Sequence, residues 1–406
     1  MADSLTSGER AWRRMPAGVW QLGFVSLLMD VSSEMIHALL PVYLVTVLGA
    51  STLTVGFIEG VAEATASITK IFSGALSDWL GRRKLLAAIG YGLAAFTKPV
   101  FPLASTVGWV VAARFVDRVG KGIRGAPRDA LVADLAPPGL RGAAFGLRQS
   151  LDTVGAFLGP ALAIVLMWAT ADHIPTVFWI AVLPAFASFA LIAFVVRDPA
   201  DGPPAWRGIG LHWRGELGKL PARYWWIVAV SAVFTLARFS EAFLVLRAKE
   251  LGLAMALIPA VLVVMNVAYA FTAYPAGVLA DRVGRVALLP PGLLLLGAAD
   301  LCLAYAGGMA GLVAGILLWG LHMGMTQGVL STLVADVAPP SLRGTAFGVF
   351  NLVGGLAMLA ASVIAGALWS AYGSRATFAA GAAFAVLTLA ILLPLWRRDG
   401  RHRAQS

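Results

Sequence analysis

The chain has 406 residues, of which 59% are hydrophobic and only 13% are charged, and its formal net charge is +10. A soluble chain carries about 25% charged residues, so this composition excludes an ordinary soluble domain and indicates a polytopic membrane protein. The positive charge is dispersed over short loops, which favours a role in membrane topology over nucleic-acid binding.

Twelve apolar stretches are each long enough to cross a bilayer, which takes about 20 helical residues. The predicted spans are 17–46, 54–77, 85–104, 106–124, 143–167, 176–196, 225–246, 255–280, 286–305, 308–328, 345–368 and 376–396. The first apolar run is longer than the core of a signal peptide, so we interpret it as a retained span. The predicted fold class is therefore an all-α membrane protein with twelve transmembrane helices.

Loop charges predict the orientation and the domain organisation. Nearly all loop Lys and Arg lie on one side, and the other side carries only Arg247, Lys249 and Arg375. The positive-inside rule then places both termini in the cytoplasm, in a multi-pass protein of the inner (plasma) membrane. The polar stretch 197–224 is predicted to be a cytoplasmic linker between two six-helix bundles, 1–196 and 225–406.

The two halves of the chain repeat each other in sequence. The segment 74–82 recurs at 277–285, and the segment 131–146 recurs at 333–348. These two matches are offset by 203 and 202 residues, which indicates a duplication. In a duplicated bundle of this kind, we expect a substrate site near the membrane midplane, between the halves.

The segment from Gly74 to Leu86 resembles the loop 2–3 signature of the major facilitator superfamily, G-x-L-a-D-r-x-G-r-k-x-x-l, with Trp79 in place of the usual basic residue. The resemblance implies two pseudo-symmetric six-helix bundles and transport by alternating access, but it implies no substrate. It also implies a conformational latch, in which Asp78 pairs with the start of span 11 and with an arginine near Arg124 or Arg128. The expected latch residues are Gly74, Asp78, Gly81, Arg82, Arg83, Asp281 and Arg285.

Span 5 carries a second motif, formed by Gly146, Gly155, Gly159 and Pro160. It resembles the span 5 signature of drug/proton antiporters of twelve spans, and the second half has lost it. The resemblance implies proton-driven export. The alternative interpretation is ordinary helix packing through small residues.

Span 4 adds a third motif, because Arg114-Phe-Val-Asp117 resembles the R-x-x-q-G signature of the same antiporters, with Arg118 in the glycine position. The run from Asp117 to Leu131, D-R-x-G-K-G-x-R-x-x-P-R-D-A-L, is similar to that of a bacterial subgroup that includes metal-resistance members.

Ionisable residues inside the spans are expensive at membrane depth, so we expect them to pair or to serve transport. The acids are Asp30, Glu34, Glu59, Glu63, Asp117, Asp152, Glu241 and Asp300, and the bases are Lys70, Lys98, Arg114, Arg118, Lys121, Arg148 and Arg238. We expect Asp152 to pair with Arg148 one turn away, and Asp117 to pair with Lys121 and Arg114. Static ion pairs that only lock the bundle are the alternative.

A proton carrier is a carboxylate that is not held in a tight ion pair, since such a pair keeps it ionised. We therefore rank Glu34 first, because it matches Glu241 in the second half, and Asp30 second. The further proton-coupling candidates are Glu63, Asp117, Asp152 and Glu241. The expected substrate and charge network is Arg114, Arg118, Lys121, Lys98, Arg148, Arg238 and His37.

The repeat alignment also separates the halves by function, since Lys121 and Asp152 match Met323 and Gly354. We expect proton coupling in the first half and substrate contact in the second. The single cysteine, Cys302, excludes a thiolate cluster, and no nucleotide-binding loop is present. We expect no cofactor beyond the proton gradient, no metal site, no enzymatic activity and no nucleic-acid partner.

The predicted function is a monomeric secondary transporter in the lipid bilayer that couples protons to the efflux of a small molecule. The alternatives are a proton-symport importer of an organic solute and a metal-cation/proton exporter.

Overall fold

The structure is a computed structural model that describes residues 15–80, 82–137, 140–197, 217–283, 285–339 and 342–403. Within these ranges it contains α-helices, three short helical turns of other types and no strand. The helices are α1 (Ala17–Thr46), α2 (Thr52–Leu80), α3 (Arg83–Thr97), α4 (Val100–Leu103), α5 (Val107–Leu135), α6 (Arg141–Ala169), α7 (Ile174–Ala190), α8 (Ala222–Ala237), α9 (Ala242–Glu250), α10 (Ala260–Val283), α11 (Leu289–Tyr305), α12 (Met309–Val337), α13 (Arg343–Tyr372) and α14 (Ser374–Arg403). A π-helix, Leu191–Val195, continues α7.

These helices confirm the all-α membrane fold. Ten helical segments of the described chain are long and apolar enough to cross a membrane by composition alone. The helices α2 and α5 are as long, but they carry several charged residues and fail that criterion. Span 3 consists of α3 and α4, which meet at Pro99, a residue that cannot donate a helical hydrogen bond.

The helix α5 extends past the predicted span 106–124 and continues to Leu135. Arg124 and Arg128 are therefore helical residues and not loop residues. The Arg124 guanidinium lies 4.9 Å from the centre of the Tyr91 ring, and Arg128 donates a hydrogen bond of 2.9 Å to Ser26 Oγ. Partners on neighbouring helices thus allow both cations to remain inside the protein.

The predicted span 7 is interrupted, since α8 ends at Ala237 and α9 begins at Ala242. Arg238 has φ −111° and ψ 75°, which is outside the helical region. The matching segment of the first half, around Glu34, lies within the continuous helix α1. The repeats therefore differ in backbone as well as in side chains at this position.

The described residues pack as two compact units, one within 1–39 and 65–210 and the other within 40–64 and 211–406. The core of the first unit includes Val19, Leu22, Tyr91 and Leu131. In the second unit, an added Cβ at Gly56 would overlap the Ser362 carbonyl, so α2 and α13 approach closely there. The predicted linker falls largely outside the described residues, and the bundle boundaries stay a prediction.

The expected latch also falls largely outside the described residues. Gly81 and the side chains of Asp78, Asp281 and Arg285 are among the parts that are not described, and so is Gly74. Arg83 is described, and it forms an ion pair with Asp134 near the end of α5. This pair ties the start of α3 to α5 within the first unit.

Candidate functional site

A buried ion pair lies at the centre of the first unit. Lys98 Nζ donates a hydrogen bond of 2.9 Å to Asp117 Oδ1 and another of 3.0 Å to Ser33 Oγ. The side chains of Lys98 and Asp117 are only 2% and 5% exposed. The residue spacing predicted Lys121 and Arg114 as the partners of Asp117 and did not predict Lys98, because spacing along one helix shows only the partners on that helix.

A second group of charges connects α5 with α6. Arg148 Nη1 lies 2.9 Å from Asp152 Oδ2, which confirms the predicted pair, and 3.4 Å from Asp129 Oδ1. Arg128 Nη2 approaches the same Asp129 oxygen at 3.1 Å. Arg128 also reaches Ser26 on α1, so these charges link three helices.

The two first-ranked acids, Asp30 and Glu34, lie against the glycine motif of α6. An added Cβ at Gly155 would approach the Asp30 Cβ at 2.9 Å, and one at Gly159 would approach the Glu34 Cβ at 2.7 Å. The motif that resembles drug/proton antiporters therefore packs directly on the helix segment that carries these acids. Gly146 makes no such contact, since a Cβ there would meet nothing within 4 Å.

Cations surround both acids. Glu34 Oε2 lies 3.4 Å from His37 Nδ1, as their predicted shared face requires. Lys121 acts electrostatically on both Asp30 and Glu34. Asp30 also interacts with the opposite charges of Arg124 and Arg128 and with the like charge of Asp152.

Positive charge exceeds negative charge among the most buried side chains of the first unit. Those described as buried are the cations Lys98, Arg114, Arg118, Arg124 and Arg148 and one carboxylate, Asp117. Arg124 Nη1 and Arg148 Nε are buried with no hydrogen-bond partner within the described part of the chain. Buried guanidinium groups are normally fully hydrogen-bonded, so these donors favour an anionic or polar ligand.

The second unit holds a smaller charged group at the interruption between α8 and α9. Arg238 Nη2 lies 3.9 Å from Glu241 Oε1, and the negative charge of Glu63 also acts on Arg238. Two predicted candidates, Glu63 and Glu241, thus lie around one cation. An interrupted transmembrane helix exposes backbone groups that can contact a substrate.

An aromatic cluster adjoins this interruption, and the sequence analysis did not identify it. The ring of Phe239 lies 5.5–5.6 Å from those of Phe243, Trp319 and Phe378. These rings come from different helices, so no local spacing in the sequence shows that they meet. Together they form a polarisable aromatic cluster that is almost completely buried beside the interruption.

Asp300 lies beside the aromatic cluster and is fully buried. Neither of its carboxylate oxygens has a hydrogen-bond partner among the residues that the structure describes. A Cβ added at Gly381 would come within 2.5 Å of Asp300 Oδ2 and 3.0 Å of Phe239 Cε1. In the sequence alignment of the two halves, at an offset of 202 residues, Asp300 corresponds to Lys98 and Trp319 corresponds to Asp117. This correspondence is a signal in the sequence that could have identified the site.

No group of three potential metal ligands (His, Cys, Asp or Glu) that could hold an ion occurs within the described ranges. Pro160 lies inside α6, one residue after the glycine that contacts Glu34.

Comparisons with known proteins agree with this architecture. A family model described as Major Facilitator Superfamily matches residues 22–265 and 240–406. An uncharacterized MFS-type transporter of Methanocaldococcus jannaschii is 32% identical over 389 residues, which cover 94% of this chain and 95% of that one. The multidrug resistance protein MdtH of Photorhabdus laumondii is 28% identical over 203 residues, covering 47% of this chain and 48% of the other.

Among solved structures, the human organic anion transporter MFSD10 superposes with a TM-score of 0.65 at 20% identity. The match covers 93% of this chain and 100% of that chain. At this identity the likeness shows the fold alone.

Proposed function

Because the chain belongs to the major facilitator superfamily, and is therefore a multi-pass membrane transporter, we propose that it exports a small organic molecule in exchange for protons. In this proposal Asp30 and Glu34 of the first half carry the protons. The second half contacts the substrate at the interruption between α8 and α9, which packs on the buried aromatic cluster. Alternating access then couples the two events.

The observation that carries the proposal is the contact between the glycine motif and the two acids. Gly155 and Gly159 bring α6 so close to α1 that no side chain separates the two helices at Asp30 and Glu34. Any shift of α6 against α1 therefore changes the distance from these acids to Arg148 and Asp152, which lie on α6. A movement of this kind would alter proton affinity between the two access states, which proton coupling requires.

The cation surplus supports a substrate with negative charge. When Asp30 and Glu34 are ionised, they compensate part of the charge of Lys121, Arg124 and Arg128. When they are protonated, these cations can take an anionic group of the substrate instead. The binding of protons and the binding of an anionic substrate thereby depend on each other. We therefore propose small organic anions as the substrate class.

The names of two similar proteins support this proposal. MdtH is called a multidrug resistance protein, and MFSD10 is called an organic anion transporter. Export of an organic anion is compatible with both names and with the surplus of buried cations. The alternatives are proton-symport import of an organic solute and metal-cation/proton export, and the same cations disfavour the second by repulsion.

The direct test uses everted membrane vesicles that are energised so that the lumen is acidic. A panel of fluorescent organic anions, organic cations and Mn²⁺ is added, and both uptake and lumenal pH are followed. We expect at least one organic anion to accumulate in the lumen and to dissipate the pH gradient. Vesicles without the protein, and vesicles with the Asp30→Asn/Glu34→Gln variant, are the controls.

The competing functions give different results in this assay. A symport importer would accumulate no substrate under the imposed gradient, and it would take up substrate in right-side-out vesicles. A metal exporter would respond to Mn²⁺ alone. Either result would contradict the proposed export of organic anions.

A further inference from the structure

A groove runs along the outer side of the first unit, between α3 and the end of α7 with its π-helix. Its volume is about 740 Å3, and its lining includes Arg82, Lys84, Leu85, Ile89, Phe96 and Ala193. This groove takes no part in the site described above. Val196 N donates a hydrogen bond of 3.0 Å to the Leu191 carbonyl, and this π-helical bond widens the last turn. Ala193 in this turn lines one side of the groove.

The groove is apolar along most of its length. Leu85, Ile89, Gly92 and Phe96 recur at helical spacing and therefore share one face of α3. Gly92 keeps the groove open, because an added Cβ would lie 3.0 Å from the Phe189 ring. At the far end, the Phe96 ring is 62% exposed and packs edge-to-face on Phe189.

The length of the groove matches one leaflet of a bilayer. Lys84 and Phe96 are separated by three turns of helix, or about 18 Å along the axis. One leaflet contributes about 15 Å of hydrocarbon. A single acyl chain can therefore lie along α3 from the polar boundary to the bilayer centre.

Two cations mark the polar end of the groove. The three consecutive basic residues of this loop are divided, because Arg83 turns inward to Asp134 while Arg82 and Lys84 line the groove. Among the residues that the structure describes, neither Arg82 nor Lys84 forms an ion pair, and none of those that line the groove is acidic. Basic pockets at the cytoplasmic ends of spans are suited to anionic lipid head groups.

We propose that this groove is a specific site for one anionic phospholipid of the leaflet on the Arg82 side, which the loop charges predict to be cytoplasmic. The lipid phosphate lies between Arg82 and Lys84, and one acyl chain lies along Leu85, Ile89 and Phe96. Each of the two cations contributes a similar free energy of attraction to an anionic head group at the membrane surface. Together they favour the binding of an anionic over a zwitterionic lipid about 30-fold.

The second half of the chain repeats these features only in part. Arg82 matches Arg285 in the segment that is offset by 203 residues, but at that offset Lys84 corresponds to Ala287. Gly92 and Phe96 correspond to Leu294 and Ala298 at the offset of 202 residues, so the second cation, the gap and the terminal ring are replaced. We therefore expect one such lipid site per chain.

Native mass spectrometry of the full chain tests the proposal. Purified protein is titrated with phosphatidylglycerol and, separately, with phosphatidylcholine of the same acyl composition. We expect the wild type to bind the first phosphatidylglycerol about 30-fold more tightly than phosphatidylcholine. In Arg82→Gln/Lys84→Gln this preference should fall to about 3-fold or less.

Two further variants separate the charged end from the apolar groove. Arg207→Gln/Arg214→Gln removes the same charge from the linker and should keep the preference. Ala193→Trp fills the groove, retains both cations and should weaken the binding of both lipids, with an unchanged circular dichroism spectrum as the control for folding.

A preference that survives in Arg82→Gln/Lys84→Gln, or that is lost equally in Arg207→Gln/Arg214→Gln, would overturn the proposal. Displacement of phosphatidylglycerol by inorganic phosphate alone would assign the cations to free phosphate and would also overturn it.

Discussion

The two halves of this transporter place opposite chemistry at equivalent positions. In the first half, Lys98 and Asp117 form a buried ion pair of 2.9 Å. In the second half the same positions are Asp300 and Trp319, and the Asp300 carboxylate has no hydrogen-bond partner among the described residues. One copy pairs these two residues with each other, and the other buries an acid beside an aromatic cluster.

This difference fits the proposed division of tasks between the two halves. Charges that can exchange partners suit proton coupling, because protonation of one group redistributes the others. Aromatic and apolar surface suits contact with an organic substrate. The predictions below test this division, starting with the largest expected effect.

The largest effect should come from breaking the buried pair of the first half. Asp117→Ala leaves the charge of Lys98 buried without its carboxylate, which costs about 3–5 kcal/mol of the free energy of unfolding. Asp300→Ala breaks no ion pair or hydrogen bond with a described residue, so it should cost less than about 2 kcal/mol. Unfolding titrations in mixed detergent micelles measure the loss of unfolding free energy in both variants.

The double variant Lys98→Met/Asp117→Leu is the control for this experiment. It removes both charges together and should lose much less stability than Asp117→Ala. Equal losses in Asp117→Ala and Asp300→Ala would contradict the contrast between the halves.

A medium effect should come from the glycine motif. Gly159→Ala would bring a Cβ within 2.7 Å of the Glu34 Cβ, so α1 and α6 must separate at a cost of about 1–3 kcal/mol. Gly146→Ala, in the same helix, meets nothing within 4 Å and should be neutral or slightly stabilising. The corresponding position in the second half is already Ala361.

Proton-coupled transport is measured for the same two variants, together with the free energy of unfolding. We expect Gly159→Ala to lose coupling and Gly146→Ala to keep it. If both variants behave as wild type, the glycine motif has no role beyond packing.

The smallest effect concerns the partly buried ion pairs. Arg148 and Asp152 lie 2.9 Å apart in the first half, whereas Arg238 and Glu241 lie 3.9 Å apart in the second. Double-mutant cycles should give a coupling energy of about 0.5–1 kcal/mol for the first pair and less for the second. A larger value for Arg238 and Glu241 would reverse the assignment of the charged network to the first half.

Much of the fold was predictable from the sequence, since hydropathy and the internal repeat both constrain it. A hydropathy criterion that limits the number of charged residues misses α2 and α5, whereas the length of their apolar stretches predicted both as spans. The pair between Arg148 and Asp152 was predictable as well, because residues four apart share a helix face.

Contacts between helices were not predictable in the same way. Asp117 was assigned to cations of its own helix, although its hydrogen-bonded partner, Lys98, precedes that helix in the chain. The cluster around Phe239 depends on the packing of several helices, and one sequence gives no measure of that packing. The interruption at Arg238 carries no proline or glycine, so no local signal marks it.

The central claim is that proton coupling resides in the first half, and Glu34 and Glu241 provide a matched test of it. Each is replaced by Gln in proteoliposomes that contain a pH-sensitive dye, with a transported fluorescent anion from the panel as substrate. Glu34→Gln should abolish substrate-induced proton movement while substrate exchange at equal pH continues, and Glu241→Gln should retain both. Proton movement that persists as in wild type in Glu34→Gln and in Asp30→Asn, or that is lost only in Glu241→Gln, would contradict the account.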